Sequence, residues 1–514
     1  MCYCNIVPRP SPAPGPRLVV DYTESDPPDL SSSTSNLSHP DLLSSYPLND
    51  IGNCDRLIAL YSQVLHYCPD LKSWLWWDGR RWALDRTSKS FAYARDAMIE
   101  YAHQAKSAKM DGADDLNSHA TSSGSAHAIR DLLTMAQSKL SIPASSLDRH
   151  PDLLNFLNGT VDLRTSALRP HNPADLMTRL IHHDYVPRSK PPRRWLDFLD
   201  TVLDSNAEIL HYLHLAFGYS LTGHTSSKAT FIVHGASGNN GKSTLLTAFR
   251  CLIPEYSAII MVDSIISHKQ DRTSANADIA DLNGARFVQT SESQKGATLS
   301  AATLKRLSQG MGEIRARRLY QNPITFPETH KLWIDTNHPP ALSDSDDSAV
   351  FARLHPVAFP IEIDLEDQDP LLVRKLLEEA EGILAWAAEG ARLWYEGGRR
   401  LPRPLSMQRE LRKWQVASDW AERFLADCCL VMRYAKTISE WSVESSVLYR
   451  RYKEWVEDGN DDCFRSHREF TQRLKSHAPI QYRRRRDKSY FWGVKIRKSG
   501  RVGLSRDEQD ETED

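Results

Sequence analysis

The chain has 514 residues, and 64 lysines and arginines against 66 aspartates and glutamates leave a formal net charge of −2. No overall field therefore marks it for a polyanion, and any such contact has to come from local clusters. At 40% hydrophobic and 25% charged it has the composition of an ordinary globular protein with room for two to four domains. No apolar run reaches the ~18 residues that a membrane span requires, and the start MCYCNIVPRPSPAPGP lacks the basic segment and apolar core of a secretory signal.

Residues 1–48, rich in Pro, Ser and Asp, have too few large apolar groups to offset ordering entropy and are expected to be a disordered tail. Its Cys2 and Cys4 form a CxC with no second Cys/His cluster at ligand spacing, and eight cysteines without a CxxC pair fit a reducing cytosol. WLWWDGRRWALD (Trp74–Asp85) predicts two short strands turning at Asp78-Gly79. Its four tryptophans serve either as cross-strand core or as a platform for stacked bases.

Residues 86–145 predict helices interrupted by a flexible loop over Lys109–His127. Asn155–Pro173 predicts short strands with turns at Asn158-Gly159 and Arg164–Ser166, and two helices then lead to Gly223. From Ala229 to Ile363 strands and helices alternate, the pattern of an α/β nucleotide-binding unit. Pro370–Gly398 reads as one long amphipathic helix with Leu372, Leu376, Ile383, Trp386 and Leu393 on its apolar face, stopped by Gly397-Gly398. Cys428-Cys429 lies in an apolar helical stretch and reads as core. Between Thr437 and Arg497 the order is helix, helix with Ser466 as N-cap, then a basic hairpin, as at the end of a winged helix. The closing DEQDETED is an acidic, solvated tail.

Chemistry concentrates in FIVHGASGNNGKSTLLTAF (Phe231–Phe249). An apolar strand runs into small and polar residues and then into a helix. In the pattern G-x-x-x-x-G-K-[ST] the glycines free backbone N–H groups to face phosphates, and the helix adds the positive end of its dipole. Gly241, Lys242 and Ser243 close that pattern; Ala236 stands where its first glycine falls, with Gly235 one residue earlier. Ala236, Ser237, Gly238, Asn239, Asn240, Gly241, Lys242, Ser243 and Thr244 are thus the expected nucleotide cradle. Lys242 is expected to reach the β/γ-phosphates and Ser243 a Mg²⁺ ion. Downstream, Arg286–Thr290 predicts a strand with Glu292 just past its tip, placed to organise Mg²⁺ and water. His330–Asp335 predicts another, with Asn337 at the same edge, where an amide can hold water or a γ-phosphate.

SLTG (Ser220–Gly223), HGASGNNGKSTLL, DIADLNGARFVQTSES, LKRLSQGMGEIRARRLYQNPITFPETHKLWIDTNHPP and ARLHPVAFP occur in the order and spacing of the phage/plasmid primase–helicases. DIGNCDRLIALY, WLWWDGRRW and LLNFLNGTVDLRTSALRPHNP resemble the domain that precedes their motor, so the resemblance spans roughly residues 49–400. It implies an α/β fold: an AAA+ P-loop NTPase core of helicase superfamily 3, with a helix-rich N-terminal domain and a C-terminal winged helix. The corresponding divisions are a tail over 1–48, a pre-helicase domain over 49–190, the ATPase core over 191–365, a helical subdomain over 366–435, the winged helix over 436–498 and an acidic tail over 499–514. It further implies ATP and Mg²⁺ as cofactors. Lys242 and Ser243 bind phosphate and metal, Glu292 activates water and ligates Mg²⁺, and Asn337 senses the γ-phosphate. Arg353 corresponds to an arginine finger acting on the neighbouring subunit's ATP, which implies a ring, usually a homohexamer.

The chain departs from its relatives in two places. Gly310-Met311-Gly312 replaces a Gly-Gly-Asp, with Glu313 next, and Phe351-Ala352-Arg353-Leu354 replaces a Trp-Arg-Arg-Leu, leaving a single arginine. DNA, single-stranded or forked, is expected at Arg315, Arg317 and Arg318, which the resemblance places in a channel hairpin. It is also expected at Arg483, Arg484, Arg485 and Arg486, which interleave with Tyr482, Tyr490, Phe491 and Trp492. Strand alternation puts two of these four on each face.

No strand-borne Asp-x-Asp pair precedes the motor and no zinc-ribbon cysteine set is present, so the expectation is a helicase without priming activity, partnered by a separate primase. A cytoplasmic, nucleoid-associated location without membrane contact follows from the same reading. The competing class is an ATP-regulated initiator or switch whose output is DNA binding without processive unwinding. A small-molecule kinase is disfavoured, since no lid or acceptor-pocket motif accompanies the loop.

Overall fold

The computed structural model describes residues 43–107, 112–235, 238–266, 277–291, 298–318, 322–337, 341–342, 348–432, 441–460, 464–476, 480–485 and 487–497. Cys2, Cys4, Ala236, Ser237, Glu292, Arg486 and the acidic tail lie outside them. The chain falls into two compact units, Met1–Ala144 and Ser145–Asp514.

In the first unit, Leu43–Ser45 form a 3-10 turn with Leu43 buried, so folded structure begins inside the stretch read as a tail. Asn49 caps the helix Asp50–Tyr61 by accepting from the Gly52 N–H at 3.0 Å. Fully buried Arg56 ties this start together. It donates to the carbonyls of Leu43, Tyr46 and Pro47, and its guanidinium lies 3.8 Å from the centre of the Tyr101 ring. Strands Leu65–Cys68, Ser73–Trp77 and Trp82–Leu84 pair antiparallel, with Trp77 opposite Trp82 and both buried.

The loop expected over Lys109–His127 is instead largely the helix Ala113–Ser123. Its polar composition hides a narrow stripe, Leu116, Ala120 and Ser123, buried against its neighbours, and Asn53 donates to the Ser123 hydroxyl at 2.9 Å. A three-residue stripe at i, i+4, i+7 is enough to dock a helix whose remaining faces are solvated.

The second unit is built on five parallel strands. Their spatial order is Leu354–Ala358, Thr230–His234, Lys331–Thr336, Phe287–Ser291, Ser257–Ile259. All strands run the same way, so every strand tip faces one edge. The sheet is buried on both sides, and its sequences read as near-continuous apolar runs. On one face Phe231, Trp333 and Phe217 stack, with ring centroids 4.1 Å and 4.8 Å apart, and the Trp333 indole donates to Ser220 at 3.1 Å. On the other, Ile232, Val288 and Ile334 pack on Leu304 and Leu307. Helices Ala207–Leu221 and Ala380–Glu396 cross in contact because Gly218 and Gly390 meet there. A Cβ at Gly218 would lie 2.1 Å from the Ala391 nitrogen.

The single helix expected over Pro370–Gly398 is two, Leu372–Leu377 and Ala380–Glu396. The break frees the Glu379 carboxylate to accept from the N–H groups of Arg194 and Trp195, both at 3.1 Å. A carboxylate thus caps the otherwise unsatisfied start of the helix Arg193–Val202, a tertiary demand invisible to local periodicity. The C-terminal part follows the expected order. Helices Ser445–Trp455 and His467–Lys475, the latter with a Ser466–Glu469 capping box, precede the hairpin Gln481–Arg485 and Lys488–Trp492. Cys428 and Cys429 are buried in its core. Among the described residues no helix is long and apolar enough to cross a membrane.

Candidate active site

The chain leaves the Thr230–His234 strand at its carboxyl end and turns at Gly235. A Cβ there would fall 2.1 Å from the Asn240 side chain and 2.6 Å from the Phe359 carbonyl, so the turn's need for glycine is met at 235. Ala236, at the expected glycine position, lies outside the described residues. Asn239 (φ 58°) and Gly241 (φ 80°) take left-handed conformations that aim the chain into the helix Lys242–Leu252. The Asn239 carbonyl accepts from the Ile363 N–H at 2.9 Å, which pins the turn from outside. Gly238 and Thr244 lie on the loop and on the helix's first turn respectively.

Lys242 is 4% exposed. Its ammonium donates to the amide oxygens of Asn240 and Asn337, the latter at 3.0 Å. Burial pulls its pKa below the ordinary lysine value, and the nearby Asp335 charge opposes the shift. The Ser243 hydroxyl donates to the Asp335 carboxylate. Asp335 stands at the carboxyl end of the central strand Lys331–Thr336, in register with Val233 on one side and Ser291 on the other. Burial raises its pKa, against the Ser243 hydrogen bond and the Lys242 charge. Lys242, Ser243, Asp335 and Asn337, far apart in sequence, thus meet at one strand edge. Glu292, next in sequence after the tip residue Ser291, lies outside the described residues. His234 is held neutral by burial, its pKa down to about 4.

These side chains fit a Mg–nucleotide pair. A hydroxyl and a carboxylate are hard oxygen donors of the kind Mg²⁺ takes alongside substrate phosphates, and a buried ammonium and a helix N-terminus complement phosphate charge. Among the described residues no group of three or more His, Cys, Asp or Glu could hold a metal ion by itself. Asp335 was invisible as a site residue in the sequence. Its one signal is an acid interrupting the apolar run KLWIDT.

Arg353 is elsewhere. Its Nε donates to the Ser308 carbonyl at 3.1 Å and its Nη1 to the Ala349 carbonyl at 2.5 Å. Its carbonyl accepts from the N–H of Thr230, the first residue of the strand whose far end carries the loop. The five-residue strand between them spans about 16 Å at ~3.3 Å per residue, beyond the reach of an arginine side chain. Glu328 braces the turn beside Arg353 by accepting from the Gln309 and Gly310 N–H groups at 3.0 and 3.1 Å. It is therefore Glu328, from the strand end Ile324–Pro327, that faces this glycine turn, whereas Glu313 is exposed on the hairpin.

Burial lifts the Glu328 pKa to about 7, against the two N–H donors and the Lys331 and Arg353 charges. A raised carboxyl pKa stabilises the fold below the unfolded value of 4.5, and that contribution is lost as pH rises through about 7. Denaturation midpoints at pH 5 and pH 8 should therefore show wild type losing ground to Glu328→Gln as pH rises, by up to ~1.4 kcal/mol per pH unit in that window. A constant gap would contradict the assignment.

Arg315 points outward from the strand Glu313–Ala316, which pairs with Ile324–Pro327. Arg317 is exposed beyond it, and Arg318 is engaged by Asp281 at 2.5 Å. In the C-terminal hairpin Arg483 and Arg485 share a face, 4.6 and 5.7 Å from the centre of the Trp492 ring. Arg484 lies on the other face with Tyr482, which packs on Phe491.

Comparison with known proteins divides the chain into three matched segments. Residues 54–204 match the family described as D5 N terminal like, 233–353 a family of unknown function (DUF5906), and 422–497 the family described as Poxvirus D5 protein-like. An Acanthamoeba polyphaga mimivirus protein named "Putative helicase L207/L206" is 25% identical over 217 residues, 42% of this chain and 22% of that one. The match thus spans about a fifth of the relative's length. Solved structures of the NrS-1 C-terminal region align at TM-scores of 0.40 and 0.35. The first has 10% identity over 61% of this chain and 78% of that one; the second has 13% identity over 48% and 56%. D5-type segments before and after the sheet in sequence, together with the match to a protein named a helicase, support a phage and viral primase–helicase family for this chain.

Proposed function

We propose that this chain is an ATP-dependent DNA helicase of replication, of phage, prophage or plasmid type, that moves along single-stranded DNA as a ring. The parallel sheet and the helix Lys242–Leu252 are then a P-loop core of the AAA+ kind, and the C-terminal part a winged helix. One observation carries the reading. Lys242, Ser243, Asp335 and Asn337 converge at the sheet's carboxyl edge, while Arg353 lies at the opposite edge. A nucleotide on that loop is completed by an arginine from a neighbouring subunit, so hydrolysis requires assembly.

In this reading Lys242 and the helix N-terminus hold the β- and γ-phosphates. Ser243 and Glu292 would hold Mg²⁺, which when bound would offset charge on the phosphate oxygens. Glu292 takes a proton from the attacking water, and Asn337 fixes the γ-phosphate. The water oxygen bonds to the γ-phosphorus as its bond to the bridging oxygen breaks, leaving ADP and phosphate. Arg353 of the adjoining subunit neutralises charge as it spreads over the transferred group. Arg315 and Arg317 grip phosphates without reading sequence.

Strand displacement on forked DNA tests the reading. ATP-dependent unwinding by a multimer supports it. ATP-dependent assembly on DNA without displacement contradicts the motor and favours the initiator switch. The hairpin makes a narrower prediction. With Arg483 and Arg485 on one face, replacing both with alanine should reduce the salt slope of single-strand binding by about 0.7 × 2, or roughly 1.4. Fluorescence anisotropy between low and moderate salt checks it. An unchanged slope removes the hairpin from the DNA interface.

A further inference from the structure

We propose that Asp335 is a metal-organising residue of the nucleotide site, joining Ser243 in a divalent-cation subsite. The inference rests on the nucleotide-site reading above and adds a carboxylate that neither the loop pattern nor the family resemblance assigns.

Three observations carry it. First, position: Asp335 ends the central strand, with the nucleotide loop's strand on one side and the strand leading to Glu292 on the other, two residues before Asn337. Second, cost: it is 7% exposed, on the sheet face it shares with Trp333 and the aromatic stack. A carboxylate taken out of water there loses several kcal/mol of solvation unless other groups compensate. An apolar residue would satisfy the packing beside Leu332, Trp333 and Ile334. Third, partner: the group that compensates it is Ser243, the residue expected to ligate the cation, whose hydroxyl donates to it directly. Two oxygens close enough to share a proton are close enough to share one cation, directly or through one of the waters that Mg²⁺ retains.

A purely structural Asp335 would only restrain Ser243. Asp335→Asn separates the two roles: asparagine keeps the size and can still accept from the Ser243 hydroxyl, but it loses the charge. The experiment titrates Mg²⁺ against binding of a fluorescent ATP analogue to the full chain, with a matched series in EDTA and Mn²⁺ binding followed by electron paramagnetic resonance. In wild type Mg²⁺ should tighten nucleotide binding. In Asp335→Asn the Mg²⁺ midpoint should rise by about tenfold or more, with nucleotide affinity in EDTA unchanged or higher. Asp335→Glu, which keeps the charge, should retain more of the Mg²⁺ response than Asp335→Asn; this holds the test open should the asparagine variant melt early. Midpoints equal to wild type in both variants overturn the proposal while leaving the nucleotide site standing. A wild-type chain that binds no nucleotide, with or without metal, overturns both.

Discussion

Lys242→Ala is expected to cut ATP turnover by at least about 10²–10³-fold and to weaken nucleotide binding with it. The ammonium is not a surface charge that another lysine could replace. It is 4% exposed and oriented by the amide oxygens of Asn240 and Asn337. Phosphate arriving at the loop meets a cation whose direction is already set, so little ordering entropy is lost on binding. Removing it takes a donor from the buried Asn240 amide oxygen, a stability loss of about 1–3 kcal/mol that a melting curve can separate from the loss of function. Lys242→Ala should therefore melt somewhat lower but as a folded protein, and show no nucleotide-dependent shift in its melting temperature. Retained turnover would mean that the loop holds no nucleotide.

Arg353→Ala is expected to lower turnover by about 10³–10⁵-fold while leaving nucleotide affinity nearly intact. Its hydrogen bonds to Ser308 and Ala349 go to carbonyls at the amino edge of the sheet, so the substitution leaves the loop undisturbed. A group that acts only as charge develops in the transition state changes the rate and not the binding, and the separation of kcat from Kd is the signature. Arg353→Lys should recover little, because an ammonium lacks the planar fork that spans two phosphate oxygens. Steady-state hydrolysis beside equilibrium binding of the fluorescent analogue measures both terms. A variant that loses affinity as much as rate would place Arg353 in its own chain's site, against the geometry.

Much of this was legible from the sequence where local pattern and tertiary role coincide. The strands expected at Arg286–Thr290 and His330–Asp335 are found one residue later, at Phe287–Ser291 and Lys331–Thr336, because buried parallel strands are continuous apolar runs with polar tips. The helix after the loop, the hairpin at Asp78-Gly79 and the Ser466 cap were readable from glycine placement and capping chemistry. What failed to show was set by contacts distant in sequence. The break at Glu378-Glu379 serves the helix Arg193–Val202, some 180 residues away in sequence. The helix Ala113–Ser123 is fixed by a partner face and not by its own composition. Asp335 is one acid in an apolar strand until the fold brings Ser243 to it, and Glu328 looks like a turn residue until the Gln309-Gly310 turn closes over it. The opposite-edge position of Arg353 likewise depends on strand pairing and on no local signal.

The proposed sharing of one hydrolysis site between two subunits is tested most directly by mixing Lys242→Ala and Arg353→Ala chains and measuring ATP turnover. Each variant alone should be inactive. In a random ring roughly one interface in four pairs an intact Lys242 with an intact Arg353 from the adjoining chain, so the mixture should recover up to roughly a quarter of wild-type turnover. A mixture as inactive as its two parents, under conditions where the chains co-assemble, would contradict it.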